Sequence, residues 1–562
     1  MLRERWRTAL FGTISSRGGR RRLSLDPKIG NADWALEGAP TDLPDGAHVT
    51  CELEGDVARH RRTVEADEAG LEAVLVGWGI RRRFPDDCLK AAATARPRET
   101  ARRDLRAVPT ITIDAPKSKD LDDALAVLPA QPDGAVRVLV SIADVDAAVP
   151  AGSALDVEAR RRMTSVYLPD CVVPMLPPQM SEDTLSLLPG VERATLTVEL
   201  RVDAEGDVVA TDLYPSLIRS SARLSYDDVA AFLDAGNPDG PDGGVPEVVR
   251  PTLRWLRAAA ARLTAARATR GGVNLDRDEV HLTLDPETHE PTALTARELT
   301  SAHTLVERLM VAANEAVAGW LQERGLPGVF RVQAPPDAEQ IAELAEFAHN
   351  FGFETGFGAA LTPSGLAAFE AQFESSTVAG SMRTVLRWAL GRARYTVHPS
   401  PHFALAAPLY LHFTSPIRRY ADLLVHRIVK AHLAGDREQI ALDPALEEVA
   451  SDLNEAAYRA GKAETERLRC LVARLFSTRI GESFSGNVVS VKPFGLVVQL
   501  AGLGVTGTVS IDALPDGPYH LDAATHSLVG KQRRYVVGEP LEVQVSATDE
   551  RQGRLELVAR QP

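Results

Sequence analysis

Cysteine is scarce in this sequence. There are four in 562 residues, Cys51, Cys88, Cys171 and Cys470, and no two form a Cys-x-x-Cys pair. That argues against a disulfide-stapled scaffold and against a structural zinc site, and a reducing, cytoplasmic location is expected. Long apolar runs are missing too. No stretch of eighteen consecutive apolar residues occurs, so neither a transmembrane helix nor a membrane partner is expected. The N-terminal MLRERWRTALFGTISSRGGRRR has too short an apolar segment for a secretory signal. Tandem repeats and low-complexity tails are absent. An excess of positive charge is absent as well: 63 Lys and Arg face 77 Asp and Glu, a net charge of −14. An acidic surface repels a polyanion, which taken alone counts against nucleic-acid binding. Distribution matters more than the sum, however. The first 22 residues hold seven arginines and one glutamate, and Arg81, Arg82 and Arg83 form a second cluster. The bland reading of such clusters is a solvated face.

What is present is an ordinary globular composition, 44% hydrophobic, in a chain too long for one core. Residues 1–65 are β-rich, through ALFGTISS and HVTCELEG, and predict a small OB-like or cold-shock-like barrel, with a winged helix as the alternative. Residues 66–106 are helical and charged, a connector. From 107 to 478 strands and helices mix in one α/β body. PTITID and AVRVLVSIADV read as strands, while PTLRWLRAAAARLTAARATR, SAHTLVERLMVAANEAVAGWLQERG and DLLVHRIVKAHLAG read as helices. From 479 to 562 the period returns to two. Five short strands between glycines there predict a second small barrel.

Within the α/β body, Asp114, Asp120, Asp122 and Asp123 place four carboxylates in ten residues. Their repulsion costs stability unless cations offset it. An all-oxygen donor set suits Mg²⁺ or Mn²⁺. Two such ions can activate water and stabilise the leaving oxygen of a phosphodiester. The alternative is a solvated acidic loop. Against it, the aspartates directly follow an apolar strand and are interleaved with Leu121, Ala124 and Leu125. The EF-hand loop, with its glycine and terminal glutamate, is not matched.

A second segment, HFTSPIRRYADLLVHR, runs from His412 to Arg427. The turn Thr414-Ser415-Pro416 leads into a helix, and Arg418 and Arg419 are expected in its first turn. Arginine there opposes the helix dipole. A cation that gains nothing locally is a candidate phosphate ligand; a surface arginine pair is the alternative.

Together these segments resemble the ribonuclease II / ribonuclease R family. The RNB domain of that family carries a block like TIDAPKSKDLDDAL and a later block like HFTSPIRRYADLLVHR. Further similar blocks follow in order: SVYLPDCVVPMLP, SARLSYDDV, LVERLMVAAN and SPHFALA. FSGNVVSVKPFGLVVQL resembles an S1 RNA-binding domain. The resemblance implies a multidomain α/β RNB catalytic domain flanked by small OB-like barrels. It implies a processive 3′→5′ exoribonuclease that hydrolyses single-stranded RNA with a free 3′ end to nucleoside 5′-monophosphates, acting as a monomer. It also implies two Mg²⁺ ions (Mn²⁺ may substitute). Asp114, Asp120 and Asp123 would hold metal, Asp122 would be most critical to the chemical step, and Arg418 would stabilise charge developing on the phosphate.

The same resemblance marks RNA-contacting residues. Tyr167 corresponds to a tyrosine that packs on the terminal nucleotide, and Tyr226 to one further along the channel. Glu307 is a candidate reader of the 2′-OH. Asn314, seven residues on, shares its helix face. Ser415, Arg418 and Glu466 complete the contacts in the catalytic body. Phe484, Phe494 and Tyr519 are candidate stacking platforms in the C-terminal barrel, with barrel core as the alternative.

Two features depart from the family. The usual Gly-Ala-x-x-Phe segment reads Gly271-Gly272-Val273-Asn274-Leu275 here, and Leu275 cannot stack as an aromatic ring does. About 100 residues precede the first RNB block, room for one barrel where the family has two. The competing functions are a catalytically inactive RNB-fold RNA-binding protein and a nuclease acting mainly on DNA. Retention of all four aspartates and Arg418 argues against the inactive form.

Overall fold

The computed structural model describes residues 9–128, 133–234, 244–273, 280–296, 299–357, 360–376, 378–436, 445–522 and 527–560. Leu275 lies outside them.

Residues 9–64 close into a five-stranded barrel. Its first strand, Ala9–Arg17, pairs with the second and the fourth, and the third runs parallel to the fifth. Alternating residues turn inward, so Leu10, Ile14, Leu23, Val49 and Ala58 form a small apolar core. Gly12 permits the tight wrap: a Cβ there would sit 2.1 Å from the Ser24 carbonyl oxygen. The closed barrel excludes the winged helix.

The connector holds two short helices, Ala69–Gly77 and Asp86–Thr94. It ends in the strand Arg103–Asp104, which already pairs with Ser216 and Leu217. The connector's last residues thus belong to the catalytic sheet.

That sheet runs in the order Glu192–Val202, Val136–Ala143, Asp123–Leu128, Thr110–Asp114, Val208–Ser225, Arg103–Asp104. The long strand Val208–Ser225 also pairs back onto Glu192–Val202, closing the sheet on itself. Both faces are covered, which is why AVRVLVSIADV is nearly continuously apolar. Val138, Val140 and Ile142 face helices Arg250–Thr269 and Ser301–Glu323. Leu139 and Ala143 face Leu155, Leu423 and Leu453 on the other side. Helix Ser301–Glu323 buries Leu305, Leu309, Ala313, Val317 and Leu321 at a four-residue spacing, and a Thr300–His303 capping box starts it.

The 32-residue helix Leu446–Ser477 is the longest element. Its first half packs on the catalytic body through Leu446, Val449 and Leu453. Its second half reaches both barrels. Glu466 pairs with Lys28 of the first barrel at 2.7 Å, and Arg474 pairs with Glu550 of the second. Asp26 of the first barrel meets Arg551 of the second at 2.6 Å. The C-terminal barrel repeats the first barrel's connectivity, and Gly486 stands where Gly12 does, fourth in its opening strand.

Candidate active site

The four aspartates sit where two neighbouring antiparallel strands meet. Asp114 ends Thr110–Asp114, and Asp123 opens Asp123–Leu128. The turn between them is held down by Leu121, fully buried beside Leu187. Burying a leucine contributes about 1.5–3 kcal/mol. That anchor draws Asp122 inward with it. Asp122 is 4% exposed, and its Oδ1 accepts the Ile417 backbone N–H at 2.8 Å. Its Oδ2 is buried with no hydrogen bond, and Arg418 Nε lies 3.6 Å away.

The other carboxylates are under related strain. Burial, then the repulsion of Asp123 and Asp120, pushes Asp114 up to about 8. Burial pushes Asp123 up to about 6, against the pull of Arg418 and Arg419. Burial also raises Asp122 well above the usual carboxylate range, although Arg418 opposes it. Asp120 Oδ2 accepts the Tyr167 hydroxyl at 2.7 Å. The Tyr167 ring stays 36% exposed beside it.

Segment Phe413–Tyr420 brings the cation. The expected placement of both arginines inside the helix is corrected: the helix starts at Tyr420, and Arg419 is its extended N-cap residue. Arg418 therefore projects from the turn before the helix. Its carbonyl accepts Ser165 N–H at 2.9 Å and the Thr164 hydroxyl at 3.2 Å. Those bonds stitch the Tyr167 segment to the arginine segment, across more than 250 residues of chain. Arg419 turns the other way, into a two-point pair with buried Asp422 at 2.7 and 2.9 Å. Asp422 also takes the Ser415 N–H at 2.8 Å. The sequence reading passed over Asp422; its place three residues after Arg419, inside an apolar helix, is the signal that marks it.

The remaining candidates separate into exposed and engaged. Ser415 is 4% exposed, and its hydroxyl accepts Arg418 Nη2 at 3.0 Å. Asn314 is 3% exposed and accepts Phe413 N–H at 2.8 Å while donating to Tyr410. Both side chains support the arginine turn. Glu466 is likewise committed elsewhere, taking Lys28 and the Trp78 indole N–H at 2.6 Å. Glu307 is half-buried, with Arg267 and Arg308 at 3.4 and 3.1 Å. Tyr226 stacks on His303, ring centroids 4.0 Å apart. In the C-terminal barrel Phe494 is 56% exposed, Tyr519 is core, and Phe484 packs on Phe476.

Among the described residues, no three carboxylate, histidine or cysteine side chains are already drawn together as a metal cage. The donor chemistry nevertheless fits a hard cation. Every available ligand atom is oxygen, Asp122 Oδ2 is buried without a hydrogen-bond donor, and Asp114 and Asp123 repel each other.

Comparison with known proteins agrees with this arrangement. The RNB domain family matches residues 102–435, and the S1 RNA binding domain family matches residues 477–560. Ribonuclease R of Aquifex aeolicus is 35% identical over 494 residues, covering 86% of this chain and 69% of that protein. Ribonuclease R of Thermotoga maritima is 34% identical over 488 residues, covering 84% and 68%. The structure of Mycoplasma genitalium RNase R in complex with ribose methylated single-stranded RNA superposes with a TM-score of 0.91 at 26% identity. It covers 99% of this chain and 90% of that one. With its aspartates and arginine gathered at one end of the catalytic sheet, the chain belongs to the ribonuclease II / ribonuclease R family of RNB-domain exoribonucleases.

Proposed function

We propose that the chain degrades single-stranded RNA processively from the 3′ end, releasing nucleoside 5′-monophosphates with Mg²⁺ at the aspartate cluster. The observation that carries this reading is Asp122: a desolvated carboxylate with one oxygen fixed by Ile417 N–H and the other without a hydrogen bond beside Arg418. Asp114, Asp120, Asp122 and Asp123 are the residues that would hold two ions, with Mn²⁺ able to replace Mg²⁺. When bound, such ions lower the pKa of water and neutralise charge on the phosphate and leaving oxygen.

The chain's own residues supply the rest. Arg418, 42% exposed at its side chain, presents a planar, permanently charged donor toward the phosphate. Ser415, Asn314 and Asp422 act behind it, holding the turn from which it projects. Tyr167 offers a ring face to the terminal nucleotide while its hydroxyl orients Asp120. Glu307 accepts from the ribose 2′-OH, and Tyr226 and Phe494 contact RNA farther from the cut. Net acidity does not oppose this, because an RNA strand responds to the local field around Arg418. The protein acts as a monomer in the cytoplasm in this reading. No helix among the described residues is long and apolar enough to cross a membrane.

The test is 5′-end-labelled RNA incubated with Mg²⁺ or with a chelator. A ladder shortening from the 3′ end, lost on chelation and blocked by 2′-deoxy substitution at the 3′ end, is expected. Intact RNA in Mg²⁺ would sink the reading.

A further inference from the structure

The turn Ala115–Asp122 has no regular structure, and the carboxylates of Asp120 and Asp123 repel that of Asp114 across it. Its backbone polar groups must find partners outside helix or ladder. Two side chains from distant strands and loops provide them. Ser186 is fully buried, and its hydroxyl donates to the Lys119 carbonyl at 2.6 Å while accepting the Leu121 N–H at 3.2 Å. One hydroxyl thus ties the two peptides on either side of Asp120. Ser186 is itself fixed: its carbonyl accepts Arg193 Nε at 2.8 Å, and the next residue, Leu187, donates its N–H to Leu121 O at 3.0 Å.

Arg223 holds the other half of the turn. It lies on the strand parallel to Thr110–Asp114, in register with Thr112. Its Nη2 reaches the carbonyls of Ala115, Pro116 and Ser118 at 3.4, 2.9 and 2.5 Å. All three contacts fall on one nitrogen with two N–H bonds, so Pro116 and Ser118 take the short bonds and Ala115 the long, shared one. It also brings a positive charge toward Asp114.

We propose that Ser186 and Arg223 are positioning residues that pre-set the aspartate turn for cation binding. In this role both act through the backbone of the turn that links Asp114 to Asp122. The inference rests on the cation-holding role proposed for those aspartates.

The test measures Mn²⁺ binding to the full chain by electron paramagnetic resonance, alongside kcat and KM on single-stranded RNA. Loss of a group that orients metal ligands costs roughly 10–100-fold in metal affinity or activity. Ser186→Ala is expected to weaken Mn²⁺ and lower kcat on that scale, with KM changed less than about twofold. Ser216→Ala is the control: an equally buried hydroxyl that bonds Thr195 and Thr197 at 2.6 Å, away from the turn. It is expected to lower the melting temperature while leaving Mn²⁺ affinity unchanged. Equal Mn²⁺ affinities for Ser186→Ala and wild type overturn the role of Ser186. Arg223→Met keeps an unbranched side chain of similar length but removes every donor, so it is expected to weaken Mn²⁺ binding although a positive charge near Asp114 has gone. Wild-type or tighter Mn²⁺ affinity in Arg223→Met overturns the carbonyl clamp. Absence of Mn²⁺ binding to the wild-type chain instead overturns the cation reading of the aspartates, a separate result.

Discussion

Two groups of buried and half-buried aspartates lie on this catalytic body, and they are handled in opposite ways. Asp144, Asp146 and Asp156 are saturated with cations. Lys430 bridges Asp144 and Asp146 at 2.7 and 2.8 Å, Arg427 bridges Asp146 and Asp156 at 3.1 and 2.8 Å, and Arg102 adds a contact to Asp144 at 2.7 Å. Burial would raise Asp144, yet Lys430 and Arg102 hold it below the usual carboxylate range. Asp114, Asp122 and Asp123 share Arg418, with Arg223 also acting on Asp114 and Arg419 on Asp123, yet all three are pushed up. The first group is neutralised by the chain and serves structure. The second is short of positive charge, a state a fold tolerates at a functional site. Burial alone therefore does not distinguish the groups; the count of partners does.

The sharpest way to break this contrast is to remove one carboxylate from each group. Asp122→Asn is expected to lower cleavage by about a thousandfold or more, the scale of losing a central metal-positioning and electrostatic group. RNA affinity, measured by fluorescence anisotropy on the same RNA, should stay within a few-fold. Equal losses of binding and cleavage would make Asp122 a structural residue. The variant should also melt higher than wild type without metal, because a desolvated charge has gone.

Arg427→Ala strikes the other group. It leaves Asp146 and Asp156 under-compensated, and breaking a buried pair in this way costs roughly 3–5 kcal/mol. Urea unfolding is the measurement, and the molecules still folded at low temperature should retain cleavage. A stability loss under about 1 kcal/mol would place this cluster with weak surface pairs.

pH separates the groups without mutation. Asp114 and Asp123 have raised folded values, so the metal-free protein binds more protons folded than unfolded between about 4 and 8. The stability they contribute is full below the ordinary carboxylate range and is lost as pH rises through about 6 and then about 8. Mg²⁺ should therefore raise the melting temperature more at pH 8 than at pH 5.5. For Asp144 the sign is reversed: its contribution is present above the ordinary carboxylate range and is lost as pH falls through its lowered folded value. A magnesium-induced shift equal at both pH values would break the assignment.

The smallest expected effect extends the contrast between unsatisfied and satisfied groups to the C-terminal barrel. Phe494→Ala should weaken single-stranded RNA binding by about 1–3 kcal/mol, the value of one base–aromatic stack, with no change in melting temperature. Phe484→Ala, which removes a ring packed on Phe476, should do the reverse.

Much of this was legible in sequence because it is local. The period of two marked both barrels, and helices Arg250–Thr269, Ser301–Glu323 and Tyr420–Ala434 lie where their apolar spacing and glycine stops put them. Four aspartates in ten residues marked a candidate cation site, with a solvated acidic loop as the alternative. Helix Leu446–Ser477 was not singled out, because its buried stripe runs through Ala450, Ala456, Ala463 and Arg467, residues that carry little apolar signal. Asn314, Ser415 and Glu466 were read as RNA contacts from motif position alone. Asn314 and Glu466 take hydrogen bonds from residues far away in the chain, Phe413 and Trp78, while Ser415 is held within its own turn by Arg418.

The sequence by itself determined the elements, the acidic cluster and the family blocks, since each depends on neighbours within a turn or a strand. Only the tertiary structure decided which buried aspartates receive cations. Desolvation and charge pairing depend on what the fold brings within a few ångströms, and Asp122 meets Ile417 across 295 residues of chain. The same closure decided that Arg419 is spent on Asp422 while Arg418 is left facing the aspartates.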